Sequence, residues 1–477
     1  MSAPDRPAHM HMAGSGKDVI GKMPGFFSSC EVYVKMISYN IEKNAVRRFI
    51  VDKITKNKDV LMWFIGAVAV LLIIASLGNE IRLAGLERKK VSKISEIAVP
   101  EVPDVKTERA YGVVSAAEWS EYYSDIYKSY MDNEGNTGHG GVRVKYTETD
   151  PDIQTLYSGY GFAYDYTEAV GHNYTLRDVA ETTRPHKLAN CLTCKTPDMT
   201  AMVNALGTSV YSTDFDTVYA AVSEPISCYN CHGNTPGTIV ITHDYMADAM
   251  NADIEAKKVP ASSVSCAQCH IEYYFDPATK ATNAPYKGVA EAAPDAILAY
   301  YNSTGFYDFE NPNTGVQMIK VQHPEFETYY GEGSKHKGMY TCADCHMGVS
   351  YNEKGDPYAN HYLASPLDNK DLIKTTCKMC HTDLAAQVKA IQDNTTRREK
   401  QISAKLVEIN KKLAAAIEGE TLPQETIDQI KALDRDAQFY WDFVYVENSE
   451  GAHNSALTNY CLDKAEELAG QALDLLK

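Results

Sequence analysis

The sequence predicts a mainly α-helical protein in which short helices and long loops precede a set of long C-terminal helices. Three observations lead to this prediction. Residues 111–382 are rich in Tyr, Gly, Pro and Asn, and helical periodicity is confined to short stretches there. From residue 383 onwards the chain is rich in Ala, Leu, Lys and Glu, with apolar residues three and four positions apart. Ten of the twelve cysteines form five C-x-x-C pairs, all within residues 111–382.

The N-terminal part contains an uncharged run, residues 60–78, that predicts a membrane-spanning helix. At about 1.5 Å per residue, a helix of this length matches the hydrocarbon thickness of a bilayer. We interpret the run as an uncleaved transmembrane anchor, and a cleaved signal segment is the alternative. Residues 1–59 would then be a cytoplasmic extension, and residues 79–110 a stalk or linker.

The C-terminal region, residues 383–477, predicts three amphipathic helices. The first covers residues 383–418, the second runs from Pro423 to about Val446, and the third from Ser455 to Leu476. Their apolar faces fit packing within the chain and a dimer interface equally well. The formal net charge of −17 argues against nucleic acid as a partner.

Four of the five C-x-x-C pairs are followed directly by histidine. Two thiols three positions apart can reach both vinyl groups of one porphyrin, and the next residue then lies under the iron and supplies an imidazole. Zinc competes for Cys/His clusters, but zinc sites would not need a histidine at the same offset every time. The pattern predicts haem c at CYNCH (Cys228, Cys231, His232), CAQCH (Cys266, Cys269, His270), CADCH (Cys342, Cys345, His346) and CKMCH (Cys377, Cys380, His381).

The fifth pair, CLTCK, has a lysine where the other motifs have histidine. Cys191 and Cys194 would attach the porphyrin, and a deprotonated Lys195 amine would bind the iron. A stray C-x-x-C on a loop is the alternative, but the pair lies upstream of the others at comparable spacing. The predicted fold class is therefore a mainly α multihaem cytochrome c, with short helices and long loops around five haems.

The remaining histidines are numerous enough to bind the opposite faces of the irons. Four of the fourteen histidines belong to the motifs, and His9 and His11 precede the predicted span. Four of the other eight would complete the C-x-x-C-H haems and leave the Lys195 haem open, but spacing alone does not choose among them. These eight are His139, His172, His186, His243, His323, His336, His361 and His453.

CLTCK followed by four C-x-x-C-H sites resembles the pentahaem cytochrome c nitrite reductases, which form ammonia. The resemblance covers about residues 110–460 and implies one distal ligand for each C-x-x-C-H haem. These are His172 (in GHNYTLRDVAETTR) for CAQCH, His336 (in SKHKGMYTCADCH) for CKMCH, His361 (in ANHYLASPLDN) for CYNCH and His453 (in GAHNSAL) for CADCH.

The resemblance also implies the residues around the open iron. Arg184, Tyr273 and His323 would line the pocket, where a fixed charge, a phenol and an imidazole can orient a small anion and relay protons. A calcium ion would lie nearby. Its implied ligands are the side chains of Glu272 and Gln322 and the backbone carbonyls of Tyr273 and Lys320, all hard oxygen donors.

The predicted function is the six-electron reduction of nitrite to ammonium at the Lys195 haem. The other four haems would deliver electrons from a quinol-linked membrane cytochrome or another donor. We expect a homodimer, attached to the inner membrane by the N-terminal span, with its catalytic part on the periplasmic side. The alternatives are a non-catalytic electron-transfer cytochrome, or the same fold acting on hydroxylamine or sulfite.

Overall fold

The computed structural model describes residues 101–133, 143–168, 170–185 and 187–477, together with residue 91, residues 93–97 and most of a helical stretch between residues 62 and 76. Residues 1–90 and 91–477 form two separate compact units. The predicted extension, residues 1–59, lies outside the described residues, as do Cys30, His139 and His186.

The predicted span, residues 60–78, is only partly described. Its described residues are helical, and apolar side chains such as Trp63 and Leu71 are 81% and 66% exposed. Within the described part of the chain, no helix combines the length and the apolar character needed to cross a membrane. The span therefore stays a prediction from sequence.

The second unit is mostly helical, as predicted, and most of its helices are short. In chain order they are α1 (Ala116–Trp119), α2 (Ser124–Asp132), α3 (Tyr146–Thr149), α4 (Asp152–Leu156), α5 (Thr175–Glu181), α6 (Pro197–Leu206), α7 (Phe215–Tyr219), α8 (Cys228–His232), α9 (Asp244–Glu255), α10 (Ala261–Ala267), α11 (Pro294–Thr304), α12 (Glu325–Tyr330), α13 (Cys342–His346), α14 (Lys370–Thr375), α15 (Leu384–Glu418), α16 (Gln424–Tyr445) and α17 (Ser455–Leu475).

The strands are short and pair only as antiparallel hairpins. β1 (Tyr274–Phe275) pairs with β2 (Thr282–Asn283), β3 (Phe309–Glu310) with β4 (Gln317–Met318), and β5 (Val349–Tyr351) with β6 (Pro357–Ala359). Each hairpin is a local turn between helices. The fold is therefore organised by helix packing and by the loops that carry the cysteine motifs.

The three long C-terminal helices, α15, α16 and α17, confirm the predicted helical region. Side-chain caps begin two of them: Asp383 accepts a hydrogen bond from the Ala386 N–H at 3.0 Å, and Asn454 accepts one from the Leu457 N–H at 3.3 Å. Pro423, which has no N–H to leave unpaired, directly precedes α16.

One face of α15 forms the main hydrophobic core with α16 and α17. Ile402, Leu406, Ile409 and Leu413 are at most 1% exposed and recur every three or four residues, so they share one face of the helix. Each buried side chain of this kind stabilises the fold by roughly 2 kcal/mol. The buried residues of α15 begin at Thr395, so its first turns lie outside this core.

Candidate functional site

Each C-x-x-C motif lies on a single turn of helix. The helix α8 coincides with CYNCH, α13 coincides with CADCH, and α10 ends at Ala267 inside CAQCH; 3₁₀ turns at Ala189–Leu192 and Cys377–Met379 hold the other two. A reciprocal capping box between Thr341 and Asp344 begins one of these turns, and at another the Ser227 N–H donates to the Asn230 side-chain oxygen at 3.1 Å. A helical turn places both cysteines and the residue after them on neighbouring faces, as attachment to one porphyrin requires.

A single continuous cavity connects the five motifs. Its volume is about 2370 Å³, and all ten motif cysteines contribute to its walls. Pockets for a single small molecule measure about 300–1,000 Å³. The cavity is thus large enough for several flat ring systems, and its thiol and imidazole lining has the chemistry that haem c requires.

The histidines that the resemblance pairs lie next to each other across this cavity. The distances between ring centres are 6.2 Å for His172 and His270, 6.5 Å for His232 and His361, 6.0 Å for His336 and His381, and 5.9 Å for His346 and His453. The partners come from distant parts of the chain. Only the tertiary structure brings them together.

His270 also lies 6.1 Å from His323, measured between ring centres. His270 and His323 also share a carboxylate neighbour. Its Nδ1 and the Nδ1 of His323 both face the carboxylate of Glu325, at 3.6 Å and 4.0 Å. The Nδ1 atom of His270 therefore faces Glu325, and Nε2 is the nitrogen left for a metal.

Three motif histidines and the predicted distal ligand His361 are each oriented by a hydrogen bond at Nδ1. The acceptors are the carbonyl of Thr238 for His232 at 2.7 Å, the carbonyl of Ala364 for His346 at 3.0 Å, the carbonyl of Ala359 for His361 at 2.9 Å and the side-chain oxygen of Gln387 for His381 at 2.7 Å. Such bonds fix the tautomer of the imidazole and direct Nε2 toward a metal.

Lys195 occupies the position that histidine holds in the other four motifs. Its backbone is held by the N–H bond to the Leu192 carbonyl at 3.0 Å and by the Thr175 hydroxyl, which donates to the Lys195 carbonyl at 2.8 Å. Its side chain is half-buried and lines the cavity. Among the described residues, its ammonium nitrogen forms no hydrogen bond or ion pair.

Arg184, Tyr273 and His323 line the same cavity as Lys195. The Arg184 guanidinium lies 4.3 Å from the centre of the Phe162 ring, and its Nε donates to the Thr182 hydroxyl at 3.0 Å. Burial raises the pKa of the Tyr273 phenol well above its usual 10 and lowers the pKa of His323 to about 4. The Nδ1 atom of His323 is buried and has no hydrogen-bond partner.

The four predicted calcium ligands also lie close together. Gln322 donates its backbone N–H to the Glu272 carboxylate at 2.6 Å, and its side-chain amide lies 2.8 Å from the Lys320 carbonyl. Rotating the amide by half a turn would place its oxygen beside that carbonyl, so both oxygens could face one cation. Glu272 is 1% exposed, and burial raises its pKa well above the usual value, so a cation there would stabilise its charge.

Hydrogen bonds join three of the motifs through residues to which the sequence alone gave no role. The Gln268 side chain donates to the Asn230 carbonyl at 2.9 Å and accepts from the His243 N–H at 2.9 Å. The His243 ring lies 3.1 Å from the Thr193 carbonyl. Thr193, Asn230 and Gln268 each occupy the second variable position of a C-x-x-C motif, and this repeated polar residue is the signal that could have identified them.

Paired thiols and imidazoles around one cavity, in a mostly helical chain, define a multihaem c-type cytochrome, a class that carries covalently bound haem c. The family model described as cytochrome c552 matches residues 115–477. The chain belongs to this family, the pentahaem cytochrome c nitrite reductases, and is an oxidoreductase. The predicted family and fold class are thereby confirmed.

Individual relatives cover most of the chain. It is 30% identical over 385 residues to the cytochrome c nitrite reductase subunit NrfA of Nitratidesulfovibrio vulgaris, which covers 73% of each chain. It is 27% identical over 417 residues to cytochrome c-552 of Aliarcobacter butzleri, 82% of this chain and 80% of that one. The structure resembles the catalytic subunit NrfA of Desulfovibrio desulfuricans, with a TM-score of 0.67 and 24% identity over 78% of this chain and 87% of the other. This last likeness concerns the fold.

Proposed function

We propose that the chain reduces nitrite to ammonium, with six electrons, at a haem attached to Cys191 and Cys194 and ligated by Lys195. The contrast, among the described residues, between four close imidazole pairs and one motif with lysine in place of histidine carries the proposal. Irons with two imidazole ligands are suited to electron transfer, whereas an iron with one open side can bind a substrate. The nitrite reductase NrfA of Nitratidesulfovibrio vulgaris, 30% identical, supports the same reaction.

The ring separations support the four ligand pairs. With metal–imidazole bonds of about 2 Å and about 1 Å from each nitrogen to its ring centre, two rings on one iron lie about 6 Å apart. The four separations range from 5.9 to 6.5 Å. The proposed pairs are His232 with His361, His270 with His172, His346 with His453 and His381 with His336, which with Lys195 makes five haem c groups.

The side chains around the open face then have separate roles. When bound, haem supplies an iron centre for the anion and a path for electrons. Arg184 holds the negative charge of nitrite, and its contact with Phe162 fixes its position. Tyr273 keeps its phenolic proton at neutral pH, so it can donate a hydrogen bond to an oxygen of the substrate. His323 has a free buried Nδ1 through which it can pass protons.

We also propose one calcium ion at Glu272, Tyr273, Lys320 and Gln322. Two carbonyls, an amide oxygen and a carboxylate are hard donors of the kind that Ca²⁺ prefers. Tyr273 would then be both a ligand, through its carbonyl, and a pocket residue, through its phenol. The ion would stiffen the loops that carry Tyr273 and His323.

The proposal also covers the cellular location, the electron donor and the oligomeric state. Haem c is attached outside the cytoplasm, so residues 79–477 would be periplasmic, with residues 60–78 as the anchor and residues 1–59 inside the cell. A quinol-linked membrane cytochrome or another donor would supply electrons. The C-terminal helices would form a homodimer interface. N-terminal sequencing of the mature protein tests the anchor, and a start near residue 79 would contradict it.

One assay separates the enzyme from a pure electron carrier. The reduced protein is mixed with nitrite, and haem reoxidation and ammonium release are followed together. We expect rapid reoxidation with stoichiometric ammonium. A protein that stays reduced, with all five irons low-spin, would refute the enzyme. Parallel runs with hydroxylamine and with sulfite rank the substrates by kcat/KM, and a higher value for either would replace nitrite as the principal substrate.

A further inference from the structure

Glu325 lies 3.6 Å from the Nδ1 of His270, and among the described residues the shortest contact between a carboxylate and a paired histidine is made by Glu447. It is 3% exposed and lies just beyond the end of α16. Its carboxylate lies 2.6 Å from the Nδ1 of His453. The corresponding acceptors at His232, His346, His361 and His381 are three carbonyls and one amide oxygen, all neutral.

The Glu447 carboxylate is surrounded by donors. Besides His453, it accepts the Ser449 hydroxyl at 2.6 Å, the Ser449 N–H at 3.2 Å and the Gly451 N–H at 3.4 Å. Four donors stabilise the ionised form of a buried carboxyl group. A short bond between such an anion and an imidazole N–H is stronger than one to a neutral oxygen.

The loop that holds this contact has little freedom. Gly451 has a φ of +90°, and a Cβ atom there would lie 2.8 Å from the Thr395 hydroxyl oxygen, so glycine is required. The His453 N–H donates to the Ser449 hydroxyl at 2.9 Å, which closes the loop on itself. Glu447 is thus held against the His453 ring by the loop rather than by chance.

We propose that Glu447 is a positioning residue that sets the reduction potential of the CADCH haem, holding His453 in one tautomer and lowering that potential. The inference rests on the proposed ligand pair His346 and His453. A buried anion at Nδ1 makes the imidazole a stronger donor to iron. It favours Fe(III), which carries one more positive charge than Fe(II), and so makes reduction harder.

The CADCH motif lies close to the motif that carries Lys195. The Cys266 and Cys342 thiols are neighbours, so the CAQCH and CADCH motifs adjoin. The Cys194 and Cys269 thiols are also neighbours, and they join CAQCH to CLTCK. Glu447 would therefore act on the haem next to the CAQCH haem, where Glu325 lies 3.6 Å from the Nδ1 of His270, and two motifs away from Lys195.

The isosteric variant Glu447→Gln tests the inference in the full-length protein with all haems attached. Redox titration is followed by electron paramagnetic resonance of the low-spin Fe(III) signals. We expect one signal to shift its g-values and its midpoint to rise, by at least tenfold in the reduction equilibrium, or about 59 mV. Glu447→Asp keeps the charge at a greater distance and should give a smaller rise.

Two variants serve as controls. Glu467→Gln removes the same charge from an exposed side chain of α17 that does not line the cavity, and should leave the midpoints in place. Gln387→Glu places a carboxylate beside His381, whose Nδ1 now meets the Gln387 amide oxygen at 2.7 Å, and should lower the CKMCH midpoint. A rise in the first or no fall in the second would contradict the charge argument.

The outcomes separate this inference from the proposed function. A wild-type protein without four bis-imidazole low-spin signals would refute the ligand pairs themselves. If those signals are present and Glu447→Gln leaves every midpoint unchanged, the role of Glu447 is refuted and the enzyme stands. Should Glu447→Gln fail to accumulate, Gln387→Glu decides, and an unchanged CKMCH midpoint there overturns the inference.

Discussion

Lys320 and Asp442 form an ion pair in which both side chains are almost fully buried. The ammonium nitrogen lies 3.2 Å from the carboxylate, and the side chains are 2% and 0% exposed. The same nitrogen lies 5.3 Å from the centre of the Phe162 ring, which also contacts the Arg184 guanidinium at 4.3 Å. The pair therefore ties helix α16 to the loop that carries the proposed calcium ligands and to the ring that supports Arg184.

Removing the Lys320 charge should destabilise the protein strongly. Lys320→Met leaves Asp442 buried without its cation, which costs about 3–5 kcal/mol. The backbone carbonyl of residue 320 is kept, so the proposed calcium ligand is not removed directly. Thermal unfolding of the holoprotein measures the effect. Lys389→Met is the matched control, because the pair of Lys389 with Asp393 is 73% and 63% exposed and contributes about 1 kcal/mol or less.

Arg184 should matter far more for catalysis than for stability. Arg184→Gln removes the fixed charge at the proposed nitrite site, and we expect kcat/KM for nitrite to fall by about 100-fold or more. Unfolding should change little, because the side chain is only half-buried. Arg177→Gln removes an exposed arginine nearby, whose ion pair to Glu181 spans 3.7 Å, and should keep full activity. Equal losses in both variants would contradict the role.

Lys195 should determine turnover rather than haem attachment. Lys195→His keeps Cys191 and Cys194, so five haems should still be attached, as mass spectrometry measures. The imidazole changes the iron's electron density, and we expect nitrite turnover to fall at least tenfold. A changed high-spin signal in electron paramagnetic resonance should accompany the loss. Unchanged kinetics would mean that the lysine is incidental.

The calcium proposal predicts a metal content that depends on Glu272. Metal analysis after removal of weakly bound ions should find one calcium per chain in the wild type and none in Glu272→Gln. The variant should also have reduced activity. Glu291→Gln, which changes an exposed carboxylate outside the proposed ligand set, should keep the ion. Full activity of the wild type in excess chelator, without calcium, would refute the site.

Asp434 makes the stability of the C-terminal helices depend on pH. It is 1% exposed, one of its oxygens has no hydrogen-bond partner, and burial raises its pKa to about 7. The folded state thus favours the protonated acid, so stability falls as pH rises from about 4 through 7. At about pH 8 the cost approaches ~4 kcal/mol, which Asp434→Asn should relieve. The difference between melting curves at about pH 5 and pH 8 should be smaller in the variant than in the wild type.

Local spacing within the sequence was enough to predict much of this protein. The five cysteine pairs, the lysine at residue 195 and the three C-terminal helices depend on residues a few positions apart, so their chemistry can be recognised without a fold. The family resemblance added Arg184, Tyr273 and His323, which the structure places in the cavity with Lys195.

Only the tertiary structure shows the histidine rings side by side and what stands behind them. Spacing left eight candidates, because His172 and His270, or His346 and His453, are separated by about a hundred residues whose path no local pattern determines. The structure brings these rings to 6.2 Å and 5.9 Å. It also shows Glu447 against His453, and His243 bonded to two of the motifs. Sequence could not predict these contacts, because buried polar groups form hydrogen bonds with whichever partners the packing brings near.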